Sequence, residues 1–264
     1  LLSLDELGFS EEDTACFRAL IHRPAGMIVL CGPMNSGKTS SLYAALAELN
    51  TESRNLVTLE DPIERVLPGV NQVQMHPKVG MTFVAGLRAV LRQDVTGILL
   101  GEIRDEETAA MAVRIALTGH LLMTTIHTED AVAALYRMLE MGVAPYLLAA
   151  TLSGIISQRL VRRLCPDCRE MYRAAGDSEE AAFFGAGGEG LLLYRSRGCD
   201  ACHGTGYRGR TVLAEILVPG EAVREGILQK VPRREMAARA RASGMRSLLE
   251  DGRAKAEAGI TSWQ

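Results

Sequence analysis

The sequence predicts an α/β protein: a mostly parallel sheet covered by helices on both faces, joined to a small cysteine-rich subdomain and a helical C-terminal region. Three features point to it. Residues 27–31 (MIVLC), 56–59 (LVTL), 98–100 (ILL) and 121–126 (LLMTTI) are short apolar runs with turn residues at their ends, the pattern of buried strands. Between such runs apolar residues recur at helical spacing, in Ala109, Ala112, Val113, Ala116 and Leu117 and again in Val132, Leu135, Tyr136 and Leu139. From residue 165 the texture turns to cysteines, glycines and turns, and from 215 it returns to Arg, Ala and Glu. The expected boundaries are 1–160 for the core with its lead-in, 161–214 for the cysteine-rich part and 215–264 for the terminal helices.

Taken in order, residues 1–24 form a helical lead-in, with Leu4, Leu7, Phe17, Leu20 and Ile21 lining helical faces before Pro24 stops them. A chain of 264 residues with 47% hydrophobic content buries a real core. A net charge of -3 leaves no global pull toward nucleic acid or anionic membrane. The longest weakly polar run, 146–156 (YLLAATLSGII), is about half of what a membrane span needs. The chain opens at Leu1 with neither a methionine nor a charged segment leading an apolar one, which predicts a fragment without an export signal. No internal repeat is found, and the one glycine-rich loop is short (GAGGEG, 185–190).

Residues 32–39 read GPMNSGKT and fit G-x-x-x-x-G-K-[ST] at every fixed position, directly after an apolar run and before the helical SLYAALAEL. Gly32 and Gly37 permit the backbone angles that turn amide hydrogens inward, and the following helix presents its positive end to the same phosphates. Lys38 suits the β- and γ-oxygens of a nucleotide, and the Thr39 hydroxyl suits Mg²⁺. Gly32, Pro33, Asn35, Ser36, Gly37, Lys38, Thr39 and Ser40 are the nucleotide-binding candidates.

Such a site needs acids for its metal and its attacking water. LEDPIE (59–64) and ILLGEIRDEE (98–107) both follow expected strands, at the carboxyl edge of a parallel sheet where ligands bind in open α/β folds. ILLGEIRDEE resembles a Walker B strand with Gly101 at the usual position of the metal-binding aspartate, which leaves Glu102 to act. His120 and His127 flank the run 121–126, and each suits either a satisfied structural role or that of a γ-phosphate sensor. CDACHGTGYRGR (199–210) is open to four readings: c-type haem attachment, a dithiol redox pair, a chaperone-like zinc repeat, or half of a zinc site.

The order GPMNSGKT, TLEDPIE, LRAVLRQDVTGILLGEIRDEETA, TGHLLMTTIHTEDA and CPDC with CDAC resembles the bacterial ATPases of type II secretion and type IV pilus assembly, over essentially the whole chain. The resemblance implies a RecA-like P-loop ATPase core that works as a homo-hexamer. It further implies ATP hydrolysis in the cytoplasm, peripheral to the inner membrane through a platform and cytoplasmic adaptor proteins, with no direct nucleic-acid partner. Residues 32–39 match the family's Walker A loop, 58–64 its aspartate box, 98–105 its Walker B segment and 118–127 its histidine box. Carried over position by position, Lys38, Glu64, Glu102, His120 and His127 are the catalytic candidates, and Arg88 and Arg92 fall where the family has arginines near the nucleotide. The resemblance implies that glutamates at the positions of Glu64 and Glu102 serve water activation and the Mg²⁺ shell, and which is the base stays open.

The chain departs from the family's usual acid-Pro-acid before Walker B, with Asp94, Val95 and Thr96 there. The resemblance also implies a domain upstream of Leu1 that helps close the site, so low turnover is expected of this stretch alone. Cys199 and Cys202 now find partners in Cys165 and Cys168, and two CxxC knuckles suit a structural tetrahedral Zn²⁺. The resemblance supports that pairing in assembly-type members and not in retraction-type motors. Haem attachment would need export and gains nothing from the second pair, and the chaperone-like pattern occurs once. Cys16 and Cys31 stand alone. A RecA-like nucleic-acid motor or DNA-binding ATPase is the competing function, and a nucleotide-gated module without turnover a third. The nine Lys or Arg against six Asp or Glu in 221–264 make too small a surplus to favour DNA.

Overall fold

The computed structural model describes residues 1–185 and 188–264, so Ala186 and Gly187 of the expected glycine-rich loop lie outside the described residues. Two compact units divide the chain: Leu1–Gln158 with Glu215–Met245, and Arg159–Ala214 with Arg246–Gln264.

In the first unit a 3-10 turn at Leu4–Glu6 leads into α1 (Glu11–Ile21), whose cap Ser10 accepts from the Asp13 amide at 3.1 Å. Then follow β1 (Gly26–Cys31), α2 (Lys38–Leu49), β2 (Leu56–Glu60), β3 (Asn71–Gln74), α3 (Phe83–Val90), β4 (Gly97–Leu100), α4 (Glu106–Leu117), β5 (Leu121–Ile126), α5 (Ala131–Glu140) and α6 (Pro145–Thr151). The long strand β6 (Leu152–Leu164) runs on into the second unit, which adds β7 (Glu170–Arg173), α7 (Glu179–Phe184) and β8 (Leu192–Arg195). β9 (Tyr207–Leu217) brings the chain back for α8 (Glu221–Gln229) and α9 (Arg233–Ala242), and α10 (Leu248–Glu257) belongs again to the second unit. The stretch 215–264 is thus shared: α8 packs on α6 and α9 on α5, whereas α10 packs on β8.

The main sheet has the order β3-β2-β4-β5-β1-β6-β9, and the pairs from β3 through to β6 are parallel. Parallel neighbours need crossover connections, which the intervening helices supply. Every residue of β1, β2, β4 and β5 is buried without alternation, as expected of strands covered on both faces. Met27, Val29, Leu59, Ile98 and Leu100 share one core with Leu87 of α3, Ala112 of α4 and Leu135 of α5. On α1, Phe17, Leu20 and Ile21 are buried as expected, and Leu20 lies so close to Gly154 that a Cβ there would come within 2.6 Å of it. Leu117 breaks the expected stripe: as the last residue of α4 it is 55% exposed. No helix among the described residues is long and apolar enough to cross a membrane. The run 146–156 is instead divided between α6 and β6.

In the second unit Ala174, Ala181 and Leu193 pack with Tyr172, Phe184, Leu191 and Trp263 beside the antiparallel pair β7–β8, and Leu164, Val212, Ala214 and Ala256 are buried as well. α10 is fixed by a buried polar pair, in which Asp251 accepts from Lys255 Nζ and from the Ala214 amide, each at 2.8 Å. Lys255 also donates to the Val212 carbonyl, so neither buried charge is left uncompensated.

Candidate functional site

Because the strands are parallel, the carboxyl ends of β1, β2, β4 and β5 lie along one edge. There the chain leaves β1 at Cys31 and turns through residues 32–37 into α2. Gly32 (φ 143°), Asn35 (φ 60°) and Gly37 (φ 87°) take positive φ, and at Gly32 a Cβ would stand 2.4 Å from the Gln158 carbonyl oxygen and 2.7 Å from Ser36 Oγ. Only glycine fits that approach. Lys38 opens α2 with its ammonium folded into the loop, donating to the Gly32 and Pro33 carbonyls at 2.9 and 2.8 Å. Burial lowers its pKa, opposed by its neighbours Cys31 and Glu102. A left-handed turn feeding a helix N-terminus with a buried ammonium beside it is the donor set that phosphates require. Ser36 is buried in this loop, while Pro33, Asn35 and Ser40 are exposed.

One residue further, Thr39 Oγ1 donates to Glu64 Oε1 at 3.1 Å, pairing a hydroxyl and a carboxylate as a hard cation demands. Glu64 follows the Asp61–Pro62 peptide, which is cis. Glu102, just beyond β4, keeps 19% of its side chain exposed; it pairs with Arg104 and faces His127 Nε2 at 3.6 Å. Arg104 also reaches Asp61 Oδ2 at 3.8 Å. Gly101 has a steric reason to be small: its amide donates to the Leu59 carbonyl (2.8 Å), its carbonyl accepts from Thr125 Oγ1 (2.7 Å), and a Cβ would come within 3.1 Å of the Leu59 oxygen. The strand-end carboxylate therefore belongs to the next residue.

Three expected residues are not brought to this cluster within the chain. His120 precedes β5, and its carbonyl accepts from the amide of Gly26, the first residue of β1. It therefore sits at the opposite edge of the sheet, a strand of six residues or about 20 Å from His127. There its ring meets the Thr118 hydroxyl. Arg88 is exposed on α3 and paired with Glu107 at 3.5 Å, and Arg92 lies just past the helix end. The departure at Asp94–Thr96 also lies at that opposite edge, where Asn55 holds both the Asp94 carbonyl (2.7 Å) and the Thr96 amide (2.9 Å).

Sequence reasoning passed over Glu60. It is buried at the end of β2 and accepts from Tyr43, Thr58 and Gln72. Burial and the Glu60 contact push the Tyr43 phenol well up. Its only signal was membership of LEDPIE, in which nothing distinguishes the acid that folds inward from the one that reaches Thr39.

In the second unit the sulfur atoms of Cys165, Cys168, Cys199 and Cys202 all lie within 4.8 Å of one another, with closest separations of 3.7 to 3.9 Å. A tetrahedron of four Zn–S bonds of about 2.3 Å has edges of about 3.8 Å, so the donor set fits that metal. Cys202 Sγ accepts from the Cys199 and Gly206 amides, each at 3.2 Å. Burial pushes that thiol up, but the donors outweigh it and bring it down to about 6. His203 is exposed, with φ 51°. The described metal-capable cluster holds the four cysteines alone.

A parallel sheet with a GxxxxGK[ST] loop after β1 and carboxylates beyond β2 and β4 defines a RecA-like P-loop ATPase fold, here with a tetracysteine subdomain. The chain belongs to the type II/IV secretion system protein family, whose model matches residues 1–264. It is 46% identical over 262 residues to type II secretion system protein E of Pseudomonas aeruginosa, covering 99% of this chain and 52% of that one. It is 42% identical over 266 residues to the type IV pilus assembly ATPase PilB of Thermus thermophilus, covering 98% and 29%. Among solved structures, the ATPase DotB of Legionella pneumophila matches with a TM-score of 0.71 at 24% identity, over 99% of this chain and 63% of that one. The pilus retraction motor PilT with bound ADP matches with a TM-score of 0.63 at 26% identity, over 95% and 66%. The chain spans about half the length of the type II relatives it matches.

Proposed function

We propose that the chain is the motor portion of a Mg²⁺-dependent ATPase that powers assembly of a type II secretion pseudopilus or a type IV pilus. The observation that carries this is the convergence at one sheet edge of the Lys38 cradle, the Thr39–Glu64 pair and the Glu102–His127 pair. Phosphates of ATP are taken by residues 32–39, with Lys38 exchanging loop carbonyls for phosphate oxygens. Mg²⁺, when bound, neutralises charge on the β- and γ-oxygens, and Thr39 and Glu64 are the residues that would hold it. Glu102 orients the attacking water and takes its proton, with His127 as its neighbour on the γ-phosphate side. His120, at the far edge, takes no part in this assignment. Arg88 and Arg92, on one helix and its end, serve a nucleotide through assembly into a homo-hexamer. The four cysteines at 165, 168, 199 and 202 are the residues that would hold a structural Zn²⁺ as thiolates. Function at the cytoplasmic face of the inner membrane, through platform and adaptor proteins, follows from the named relatives and rests on that likeness.

The test is Mg²⁺-dependent phosphate release by the chain. Glu102→Gln is expected to lower kcat about a hundredfold while nucleotide still binds, since it removes the base and keeps the shape. Turnover unaffected by that change would remove Glu102 from the role. Turnover stimulated by DNA, with a steeply salt-dependent affinity, would replace the secretion reading by the nucleic-acid one.

A further inference from the structure

The chain crosses between the two units at Gln158–Arg159 and at Ala214–Glu215, inside the continuous strands β6 and β9. Both first-unit residues at these crossings are buried and polar, and each is bonded to the edge that carries the phosphate loop. Gln158 is 0% exposed; its Nε2 donates to the Ser36 carbonyl at 2.8 Å, and its backbone oxygen lies against Gly32. Glu215 Oε1 accepts at 2.9 Å from the amide of Ala131, the first residue of α5 and four residues after His127. The intervening turn has two further holds. Ser157 Oγ donates to the Glu129 carbonyl at 3.5 Å, and Arg233 pairs with Asp130, the cap of α5. The loop ahead of Lys38 is thus bonded to Gln158 of one connecting strand, and the turn that follows His127 to Glu215 of the other, with Ser157 and Arg233 as further holds on that turn.

Stability alone does not ask for an amide at 158. Its Oε1 finds no donor among the described residues, and the cost of that orphan offsets what the bond to Ser36 returns. What the amide contributes is a fixed hold on Ser36.

We propose that Gln158 and Glu215 are positioning residues that tie the nucleotide state of the phosphate loop and the His127 turn to the two strands leading into the cysteine-bearing unit. The proposal rests on the ATPase reading. Phosphate ordering the loop strengthens its hold on Gln158, and by linkage any displacement of β6 or β9 changes nucleotide affinity by the same factor.

The test is amide hydrogen exchange with and without Mg²⁺ and a non-hydrolysable ATP analogue, alongside the analogue's Kd. In the wild type the analogue is expected to slow exchange in residues 159–164 and 207–214 by about five- to tenfold, the usual size of a coupling between sites. Gln158→Leu and Glu215→Leu are expected to abolish the slowing and to weaken binding by a similar factor. Glu215→Gln, which keeps an acceptor for the Ala131 amide, retains both. A merely structural role would raise exchange equally in the free and bound protein and leave their ratio intact. Should Gln158→Leu fail to fold, the two Glu215 variants decide the matter by themselves. Binding without slowing in those strands, or slowing that survives in the leucine variants, overturns the coupling and leaves the nucleotide site standing. Failure of the wild type to bind the analogue overturns both.

Discussion

Lys38→Ala is expected to reduce Mg²⁺-dependent ATP turnover on the order of 10³-fold, with the far-ultraviolet circular dichroism and melting temperature close to those of the wild type. Both halves follow from where the side chain sits. Its ammonium is held by the Gly32 and Pro33 carbonyls inside a buried loop, where burial already weakens its hold on the proton. A cation in such a place is little screened, so each developing phosphate charge it meets is stabilised more than water would stabilise it. Removal of a single uncharged donor from a preorganised site already costs about 10²–10³ in rate, and a full charge costs no less. The fold has little reason to change, because Lys38 is the first residue of α2 and alanine is the best helix former. Turnover within about tenfold of the wild type, measured as phosphate release on freshly purified protein, would place the reacting phosphate elsewhere. A collapse of the melting temperature would instead make Lys38 part of the scaffold, and the isosteric Lys38→Met would then separate charge from packing.

How far the sequence disclosed this site depended on whether a residue's environment is written locally. The phosphate loop was legible because strand, glycines, lysine and helix are contiguous, and the central strands emerged within a residue or two of their expected spans. Glu102 was legible by default, with Gly101 in the usual place of an acid, and the structure supplies the reason in the clamp between Leu59 and Thr125. His120 and His127 were indistinguishable because both flank one apolar run. A strand separates its ends by its full length, so the same six residues that mark the strand put the two rings at opposite edges. Gln158 and Glu215 left no signal at all. Both lie in strands of mixed polarity, β6 and β9, whose partners are distant in sequence, and a buried polar side chain is recognised only through the atoms it meets. The division of residues 215–264 between two units was hidden for a similar reason. Helices rich in Arg, Ala and Glu reveal an exposed face, while the choice between packing on α5 and α6 or on β8 depends on surfaces built elsewhere.

Removing the metal from the tetracysteine site is expected to unfold the second unit while nucleotide binding by the first survives. The buried apolar side chains described there besides the cysteines are Leu164, Ala174, Ala181, Leu193, Val212, Ala214 and Ala256, four of them alanines, and a unit with so little to bury supplies only about 3–5 kcal/mol. A structural zinc site contributes about 10 kcal/mol or more of folding free energy, which exceeds that supply. The thiols are poised for it: their sulfurs stand at tetrahedral spacing, and the Cys199 and Gly206 amides donate to the Cys202 sulfur and favour its thiolate. The reporter is built in, since the chain's single tryptophan, Trp263, lies in this core with its ring 6.0 Å from that of Phe183. Metal analysis is expected to give one zinc per chain, and Cys202→Ser or a strong chelator is expected to shift Trp263 emission to the red. Binding of a fluorescent ATP analogue, whose contacts all come from the first unit, should persist through that shift, weakened by no more than the factor at which Gln158 and Glu215 couple the loop to the strands. Zinc-free protein with unshifted Trp263 emission would show that the four cysteines fold the unit without a metal, and loss of nucleotide binding together with the zinc would mean that the two units do not fold independently.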